Sequence, residues 1–297
     1  MRTGDKKRFQ IVGHIIMAAM SVCALLPMLL LLVASFTENN VLVRNGYSFI
    51  PEKTSIAAYQ YIFSSSGAVI QAYGISILVT AIGTSISVVI TTMLAYGLAK
   101  KDLPGRGVLT FLVFFTMLFN GGLVPTYMNY TNVFGLKNTI WALVVPGLLM
   151  NAFHVMMVKS YFVTAIPDEI TDAAFIDGAS EFQTFYKVAL PLAKPIIATI
   201  ALFAGISYWN DWNNGYIYLT KRTDLYSIQN LLNRMIRSMQ ALMQNANLTN
   251  QDLALSAMPS VSIRMAIAVV GILPIIIIYP LIQKNFVKGI TLGGVKG

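Results

Sequence analysis

Six long apolar segments constrain the fold of this chain more than any other feature of its sequence. A helix of about 20 apolar residues crosses the hydrocarbon core of a bilayer, and inside lipid a helix satisfies its own backbone hydrogen bonds. The sequence therefore predicts an all-α integral membrane protein with six transmembrane helices. Its charged fraction of 11% agrees, since soluble proteins average about 25%. The segments lie at approximately residues 11–36, 70–98, 108–127, 139–162, 196–218 and 263–282.

The distribution of Lys and Arg predicts the orientation of these helices. Cytoplasmic loops of membrane proteins are enriched in both residues, and with six spans thirteen of the 21 basic residues fall on one side. This side is predicted to be the cytoplasm, and it holds both termini. Topology thus explains the net charge of +9, and no nucleic-acid partner is expected. The predicted parts are a cytoplasmic N-terminal segment (1–10), a six-helix membrane domain (11–297), outer segments (37–69 and 219–261) and a cytoplasmic tail (284–297).

The first apolar segment is expected to stay in the mature protein. It is longer than the core of a signal peptide and is followed by no good cleavage site. We therefore interpret residues 11–36 as an uncleaved anchor helix.

An acidic, amphipathic connector, residues 164–195, separates the fourth and fifth apolar segments. Pro167 and the two acidic residues after it suit the start of a helix. Asp177-Gly178 favours a turn, and Ser180 to Gln183 has the spacing of a capping box that begins a second helix. The connector is therefore predicted to form a helix, a tight turn and another helix in the cytoplasm.

The second helix of the connector is predicted to carry an aromatic face. Phe182, Phe185 and Tyr186 follow the i, i+3, i+4 spacing that places side chains together on a helix. Rings in this arrangement need a surface to bury against. The residues alone leave three choices open: the membrane surface, the chain's own helices, or a groove on another protein.

A second polar and aromatic cluster lies at the end of the fifth apolar segment. It contains Trp209, Asn210, Asp211 and Trp212. Indole rings beside amide and acid groups suit a sugar, whose C–H face stacks on aromatic rings and whose hydroxyls need polar partners. The alternative is an aromatic belt at the membrane interface.

Enzyme motifs are missing from the sequence. We find no nucleophile elbow, no zinc-protease motif and no phosphate-binding loop. Cys23 is the single cysteine, and His14 and His154 have no metal-ligand spacing around them, so no metal site and no cofactor is expected in this chain. Because the spans carry few charged residues, ion coupling within the chain is also not expected.

Three classes of function remain from the residues alone: a transport pore powered by another subunit, a self-contained secondary carrier of a small polar solute, and a structural or receptor protein. The connector helps to separate them. A carrier has no need of an amphipathic cytoplasmic projection, whereas an externally powered pore needs a place to receive force.

The connector also resembles the signature of a known family. Asp172-Ala173-Ala174, three residues, Gly178, nine residues and Val188-Ala189-Leu190-Pro191 are similar to Glu-Ala-Ala, Gly and Ile-x-Leu-Pro at the same spacing in permease subunits of binding-protein-dependent ABC importers. Asp replaces the Glu and Val replaces the Ile. Six spans, the position of the motif and the Trp209-Asn210 pair extend the resemblance over nearly the whole chain, which looks most like the maltose-type group that imports oligosaccharides.

This resemblance implies roles for the residues of the connector. In the family, the connector forms coupling helices that sit in a cleft of an ATP-hydrolysing subunit. Asp172 is thus expected to make a polar contact with the ATPase, while Ala173 and Ala174 permit close approach. Gly178 forms the turn, and Pro191 completes the motif. Phe182 and Phe185 are expected to supply the apolar docking face.

The resemblance implies partners as well. These are a second homologous permease, two subunits that bind ATP and Mg, an extracytoplasmic solute-binding protein and the lipid bilayer. The bilayer is expected to be a bacterial cytoplasmic membrane. Residues 221–260 are a candidate surface for the binding protein. Lys296 is a candidate tail contact with the ATPase, with a disordered tail as the alternative. The chain itself is expected to be a non-enzymatic transport subunit.

Overall fold

Helices form the regular structure in the part of the chain that the computed structural model describes, residues 3–64, 66–249 and 261–277. Within these ranges the only β pairing is an isolated bridge between Thr37 and Thr54. The all-α prediction is confirmed. The helices are α1 (Thr3–Ser35), α2 (Asn39–Asn45), α3 (Ala57–Ser64), α4 (Ser66–Ala99), α5 (Arg106–Leu118), α6 (Leu123–Met128), α7 (Trp141–Val144), α8 (Ala152–Ala165), α9 (Asp168–Ile176), α10 (Glu181–Thr184), α11 (Leu190–Leu192), α12 (Lys194–Asn210), α13 (Asn213–Tyr218), α14 (Ile228–Thr249) and α15 (Val261–Ile277). Short π-helices follow α6 (Asn129–Val133) and α10 (Phe185–Ala189), and a 3₁₀ turn (Thr223–Leu225) precedes α14.

Among the described residues, two helices are long and apolar enough to cross a membrane without a break, at Phe9–Ser35 and Gly67–Ala99. Two further apolar helix pairs are bent. The pair Arg106–Leu118 and Leu123–Val133 bends by 116°, and the pair Glu181–Leu192 and Lys194–Asn210 bends by 82°. The first bend lies at Asn120-Gly121-Gly122, where the sequence favours a helix break. Gly122 has a φ of 86°, which a residue with a side chain rarely adopts.

The fourth apolar segment differs from the single helix that its length predicts. It is divided into α7 and α8, because Pro146 has no backbone N–H to donate and Gly147 turns with a φ of 71°. The carbonyls at this break find partners on a later segment. Tyr208 Oη donates to the carbonyl of Val144 at 2.8 Å, and Asn214 Nδ2 donates to that of Pro146 at 2.9 Å. Side chains thus replace the missing helical hydrogen bonds, as apolar surroundings require.

The chain divides into two compact units, one of residues 1–69 and 232–274 and the other of residues 70–231 and 275–297. In the first unit, the end of α1 packs on the segment that follows it. Phe36 stacks on Tyr59 with ring centroids 4.7 Å apart, and Ser35 Oγ hydrogen-bonds to Tyr59 Oη at 2.8 Å. The amide of Val261 donates to Asn39 Oδ1 at 2.9 Å, which joins the start of α15 to α2.

The second unit contains two buried clusters along α4. One surrounds Tyr96 near the end of α4 and includes Phe162 of α8, Phe185 and Ile200 of α12. The other surrounds Tyr208 and includes Val79, Leu143, Val144 and Leu219. Helix α5, in contrast, has no buried residue. The unit is therefore organised around the contact of α4 with α8 and α12.

Gly83 allows α4 to approach Tyr208 closely. A β-carbon at this position would overlap the phenol ring, which is buried and held in place by its bond to Val144. We predict that Gly83→Ala lowers the stability of the protein by about 1–3 kcal/mol through overpacking, measured as earlier thermal unfolding in detergent. Gly74→Ala on the same helix, where the added atom meets open space, should not destabilise. Equal unfolding curves for Gly83→Ala and the wild type would contradict the prediction.

Candidate functional site

The connector has the local structure that its sequence predicts. Helix α9 ends in a tight turn at Gly178, whose φ is 81°, and the amides of Gly178 and Ala179 donate to the carbonyls of Phe175 and Ala174 at 3.0 and 2.9 Å. The next helix, α10, begins with the predicted capping box. The Gln183 amide donates to Ser180 Oγ at 3.3 Å, and the Ser180 amide donates to Gln183 Oε1 at 2.9 Å. A rigid turn therefore fixes the relative direction of the two helices.

Much of the outer surface of the connector is apolar and uncovered. Ile176, at the end of α9, is 86% exposed, Phe182 is 66% exposed and Tyr186 is 62% exposed. Asp172 and Ala173 are also exposed, and Ala174 is partly exposed. Full burial of such a large apolar side chain is worth about 1.5–3 kcal/mol. The surface is thus suited to contact with another protein.

Phe185 lies inside the chain, which corrects its predicted place on the docking face. Only 9% of the residue is exposed, and its ring centroid is 5.0 Å from that of Tyr96 on α4. The ring of Phe182 lies 6.5 Å from that of Phe185 on its outer side and stays exposed, whereas Phe185 is buried against α4. Phe185 anchors the connector, and Phe182 and Ile176 form its exposed apolar surface.

Charged residues after α4 also hold the connector. Lys100 Nζ lies 3.0 Å from Glu181 Oε1, and Lys101 Nζ lies 2.6 Å from Asp168 Oδ2. The ammonium group of Lys100 also lies 4.9 Å from the ring centroid of Tyr96 and 4.8 Å from that of Phe175. Both helices of the connector are therefore joined to the end of α4 by side-chain contacts.

These contacts keep the lysines charged. Burial acts to lower the pKa of Lys100, but its contacts with Tyr96 and Glu181 outweigh burial, so the pKa is raised. The hydrogen bond from Lys101 holds the pKa of Asp168 below its usual value. The raised pKa favours the charged form of Lys100, and the lowered pKa favours the carboxylate form of Asp168.

A cleft of about 630 Å³ lies between the end of α4 and the connector. Its wall includes Lys100, Arg106, Asp168 and Asp172, so charged groups of both signs border it. Asp172, the acid of the sequence signature, has no ion pair among the described residues. Its side chain is exposed.

The residues of the second predicted cluster, Trp209 to Trp212, lie in different environments. Trp209 is buried, with 6% exposed, and lies 6.3 Å from the ring of Tyr73, whereas Asn210 is exposed. Asp211 caps α13: its Oδ1 accepts from the amides of Asn213 and Asn214 at 3.1 and 3.3 Å. Trp212 packs against Tyr216, with ring centroids 6.0 Å apart.

The four side chains of this cluster therefore do not converge on one site. Trp209 alone of them lines a cavity between α4 and α12. Sequence reasoning missed the threonines of α4 on the wall of this cavity, because their spacing became informative only after the α4–α12 contact was known.

Two further residues were singled out in the sequence, Pro191 and Lys296. Pro191 is exposed in α11, just before the 82° bend into α12. Lys296 lies outside the described residues. No group of three or more potential metal ligands occurs within the part of the chain that the structure describes.

Comparison with known proteins assigns this arrangement to a family. The family described as "Binding-protein-dependent transport system inner membrane component" matches residues 105–292. The polygalacturonan/rhamnogalacturonan transport system permease protein YtcP of Bacillus subtilis is 37% identical over 287 residues, covering 97% of each chain. The arabinooligosaccharides transport system permease protein AraQ of Halalkalibacterium halodurans is 29% identical over 278 residues, covering 92% of each.

A solved structure shows the same fold. One chain of a bacterial ABC transporter involved in the import of the acidic polysaccharide alginate superposes with a TM-score of 0.78 and 28% identity, covering 96% of this chain and 99% of that one. Since the family match covers more than half of the sequence and YtcP is similar over nearly its whole length, the chain belongs to the inner-membrane permease components of binding-protein-dependent transport systems.

Proposed function

We propose that this chain forms half of the translocation path of an ATP-driven importer whose cargo is an oligosaccharide delivered by an extracytoplasmic binding protein. A second, homologous permease forms the other half. Two ATP-binding subunits bind and hydrolyse ATP with Mg, so this chain is a non-enzymatic transport subunit. The names of YtcP and AraQ, and the alginate importer of similar structure, support a saccharide as the cargo.

The exposed apolar surface of the connector is the observation that carries this proposal. Ile176 and Phe182 extend from a helical hairpin whose turn and capping box are rigid. We assign this surface to the cleft of an ATP-binding subunit. There, Ala173 and Ala174 permit close approach, and Asp172 pairs with a cation. The connector thereby serves as the pair of coupling helices of this permease.

Contacts within the chain offer a route for force. Movement of the connector reaches α4 through Phe185 and through the Lys100–Glu181 and Lys101–Asp168 pairs. It reaches α12 through α11, which leads directly into it. Closure of the ATP-binding subunits therefore moves two helices that line the cavity beside Trp209.

The proposed topology has six spans, with the connector between the fourth and fifth and both termini in the cytoplasm. The bent pairs α5–α6 and α10–α12 contribute to the third and fifth spans, and α7 and α8 to the fourth. Lys296, in the tail, is assigned to a contact with the ATP-binding subunits. Helix α14, in the second outer segment, is amphipathic over residues 228–249 and is assigned to the surface that meets the binding protein.

Copurification and transport test this function together. The permease, expressed with its partner genes, should be isolated with one second permease and a pair of ATP-binding subunits, and the reconstituted complex should import oligosaccharide only with ATP and the binding protein. Uptake by the chain alone, driven by an ion gradient, would refute the proposal in favour of a secondary carrier.

The turn at Gly178 yields a test of coupling. Gly178→Val places a β-branched residue in a left-handed conformation, which costs roughly 1–2 kcal/mol, and should displace α10 from α9. We predict at least tenfold slower uptake and loss of ATPase stimulation by the loaded binding protein, with membrane insertion unchanged. Gly178→Asn, which tolerates this conformation, should retain coupling.

Gly135→Val is the matched control for Gly178→Val. Gly135 has a φ of 62° and open space around it, as Gly178 has with its φ of 81°, but it lies between the third and fourth predicted spans. Its substitution should leave ATPase coupling intact. Wild-type coupling in Gly178→Val, or equal loss in both variants, would contradict the role of the connector.

Ile176→Asp tests the docking surface directly. Burial of an isoleucine is worth about 1.5–3 kcal/mol, so the variant should bind the ATP-binding subunits about 10- to 100-fold more weakly, measured by titration in detergent. Ile50, which is 85% exposed in the first outer segment, supplies the matched control Ile50→Asp. Binding unaffected by Ile176→Asp would remove this residue from the interface.

A further inference from the structure

Two basic side chains meet where α5 packs against α8. Arg106 is the first residue of α5, and Lys159 lies in the second half of α8. Lys159 Nζ donates to Thr110 Oγ1 at 2.9 Å. Because Thr110 follows Arg106 by four residues, the two lie on the same face of α5. The threonine hydroxyl thus holds the ammonium group near the guanidinium group, close enough for the two positive charges to act on each other.

Neither cation forms an ion pair with the residues that the structure describes. Arg106 Nε donates to the carbonyl of Leu98 at 3.0 Å, and Lys159 bonds to a neutral hydroxyl, so both positive charges stay uncompensated. Asp168, which borders the cleft beside Arg106, already pairs with Lys101. Like charges held close together repel each other. An anion that accepts hydrogen bonds from both would relieve this repulsion.

The depth of Lys159 makes an anionic partner more important than it is for a surface lysine. Lys159 lies three residues before the end of the fourth apolar segment, 139–162, which is about 5 Å along the helix axis. Charged side chains within membrane segments pair with other groups or extend toward the interface. The ammonium group is therefore placed at the level where lipid phosphates meet the hydrocarbon.

An apolar surface continues from the two cations along α5. Leu109 follows Arg106 by three residues and Phe114 follows Thr110 by four, so each is a neighbour on the helix surface. Both side chains are 43% exposed. Positive charge beside an uncovered apolar surface suits a ligand that has an anionic head and hydrocarbon chains.

We propose that Arg106, Thr110 and Lys159 bind the phosphate of one anionic phospholipid of the cytoplasmic leaflet, whose acyl chains lie along Leu109 and Phe114. Basic pockets between membrane helices on the cytoplasmic side are suited to such headgroups. Phosphatidylcholine is disfavoured, because its choline group would add a third positive charge to the site. The inference uses the membrane topology proposed above and is independent of the cargo.

The test uses the full-length permease in detergent, with the subunits that copurify with it. Native mass spectrometry measures the binding of phosphatidylglycerol and of phosphatidylcholine with the same acyl chains. Lys159→Gln removes one charge and keeps a donor for Thr110, whereas Lys159→Arg keeps the charge. Lys194→Gln is the matched control, since Lys194 is an exposed lysine at the start of α12 on the same predicted side of the membrane.

We expect the wild type to bind one phosphatidylglycerol at least tenfold more tightly than phosphatidylcholine. Lys159→Gln should bind phosphatidylglycerol about fivefold more weakly, roughly the contribution of one basic residue near a membrane surface. Its affinity for phosphatidylcholine should not change. Lys159→Arg and Lys194→Gln should keep the wild-type affinity. Phosphatidylglycerol should also raise the unfolding temperature of the wild type more than that of Lys159→Gln.

Four results would each overturn the lipid site. The first is equal affinity of the wild type for the two lipids, and the second is equal affinity of Lys159→Gln and Lys194→Gln for phosphatidylglycerol. The third is displacement of the lipid by an equal concentration of inorganic phosphate, which would assign the site to a free anion. The fourth is loss of a copurifying subunit from Lys159→Gln with lipid affinity unchanged, which would assign both cations to a protein contact. Failure of oligosaccharide import with lipid binding intact would instead overturn the proposed function.

Discussion

The packing of Phe185 and Lys100 around Tyr96 is the contact on which the second unit depends. It supplies the buried ring contact between the connector and α4, beside the exposed Lys101–Asp168 pair. The Lys100–Glu181 pair, with its glutamate 57% exposed, adds no more than about 1 kcal/mol. Burial of the Phe185 ring is worth about 1.5–3 kcal/mol, and its pairing with Tyr96 adds about 0.5–1.5 kcal/mol. Aromatic packing therefore anchors the connector, and the ion pairs set its orientation.

Local features of the chain could be predicted from the sequence because their causes are local. The capping box of Ser180 and Gln183, the left-handed turn at Gly178 and the break at Asn120-Gly121-Gly122 each depend on a few adjacent residues. The apolar segments indicated membrane helices for the same reason. The break between α7 and α8 was not predicted, because it is stabilised by Tyr208 and Asn214, which lie more than 60 residues later in the chain.

The residues of the candidate sites, too, could be predicted only where their contacts are local. Helical spacing placed Phe182 and Phe185 together, and their rings are neighbours, yet Phe185 is buried against Tyr96 and only Phe182 is exposed. Composition associated Asp211 with Trp209, yet Asp211 caps α13 while Trp209 lines a cavity. In both cases adjacent residues have different partners, and those partners come from other segments. A sequence pattern indicates which side chains are chemically suitable, but the packing of α4 with α8 and α12 decides which of them meet.

Helix α4 links the connector to the cavity, because it carries residues of both. It runs for 34 residues without a break, about 51 Å at 1.5 Å per residue, and it carries both Tyr96 and, about 24 Å away along its axis, Thr80. A rigid rod of this length acts as a lever: a tilt of about 5° displaces a point 24 Å from the pivot by about 2 Å, comparable with the rise of one helical residue. A shift of this size is enough to break a hydrogen bond of ordinary length. A tilt of α4 that accompanies movement of the connector thus displaces the cavity wall near Thr80 by a distance of this order.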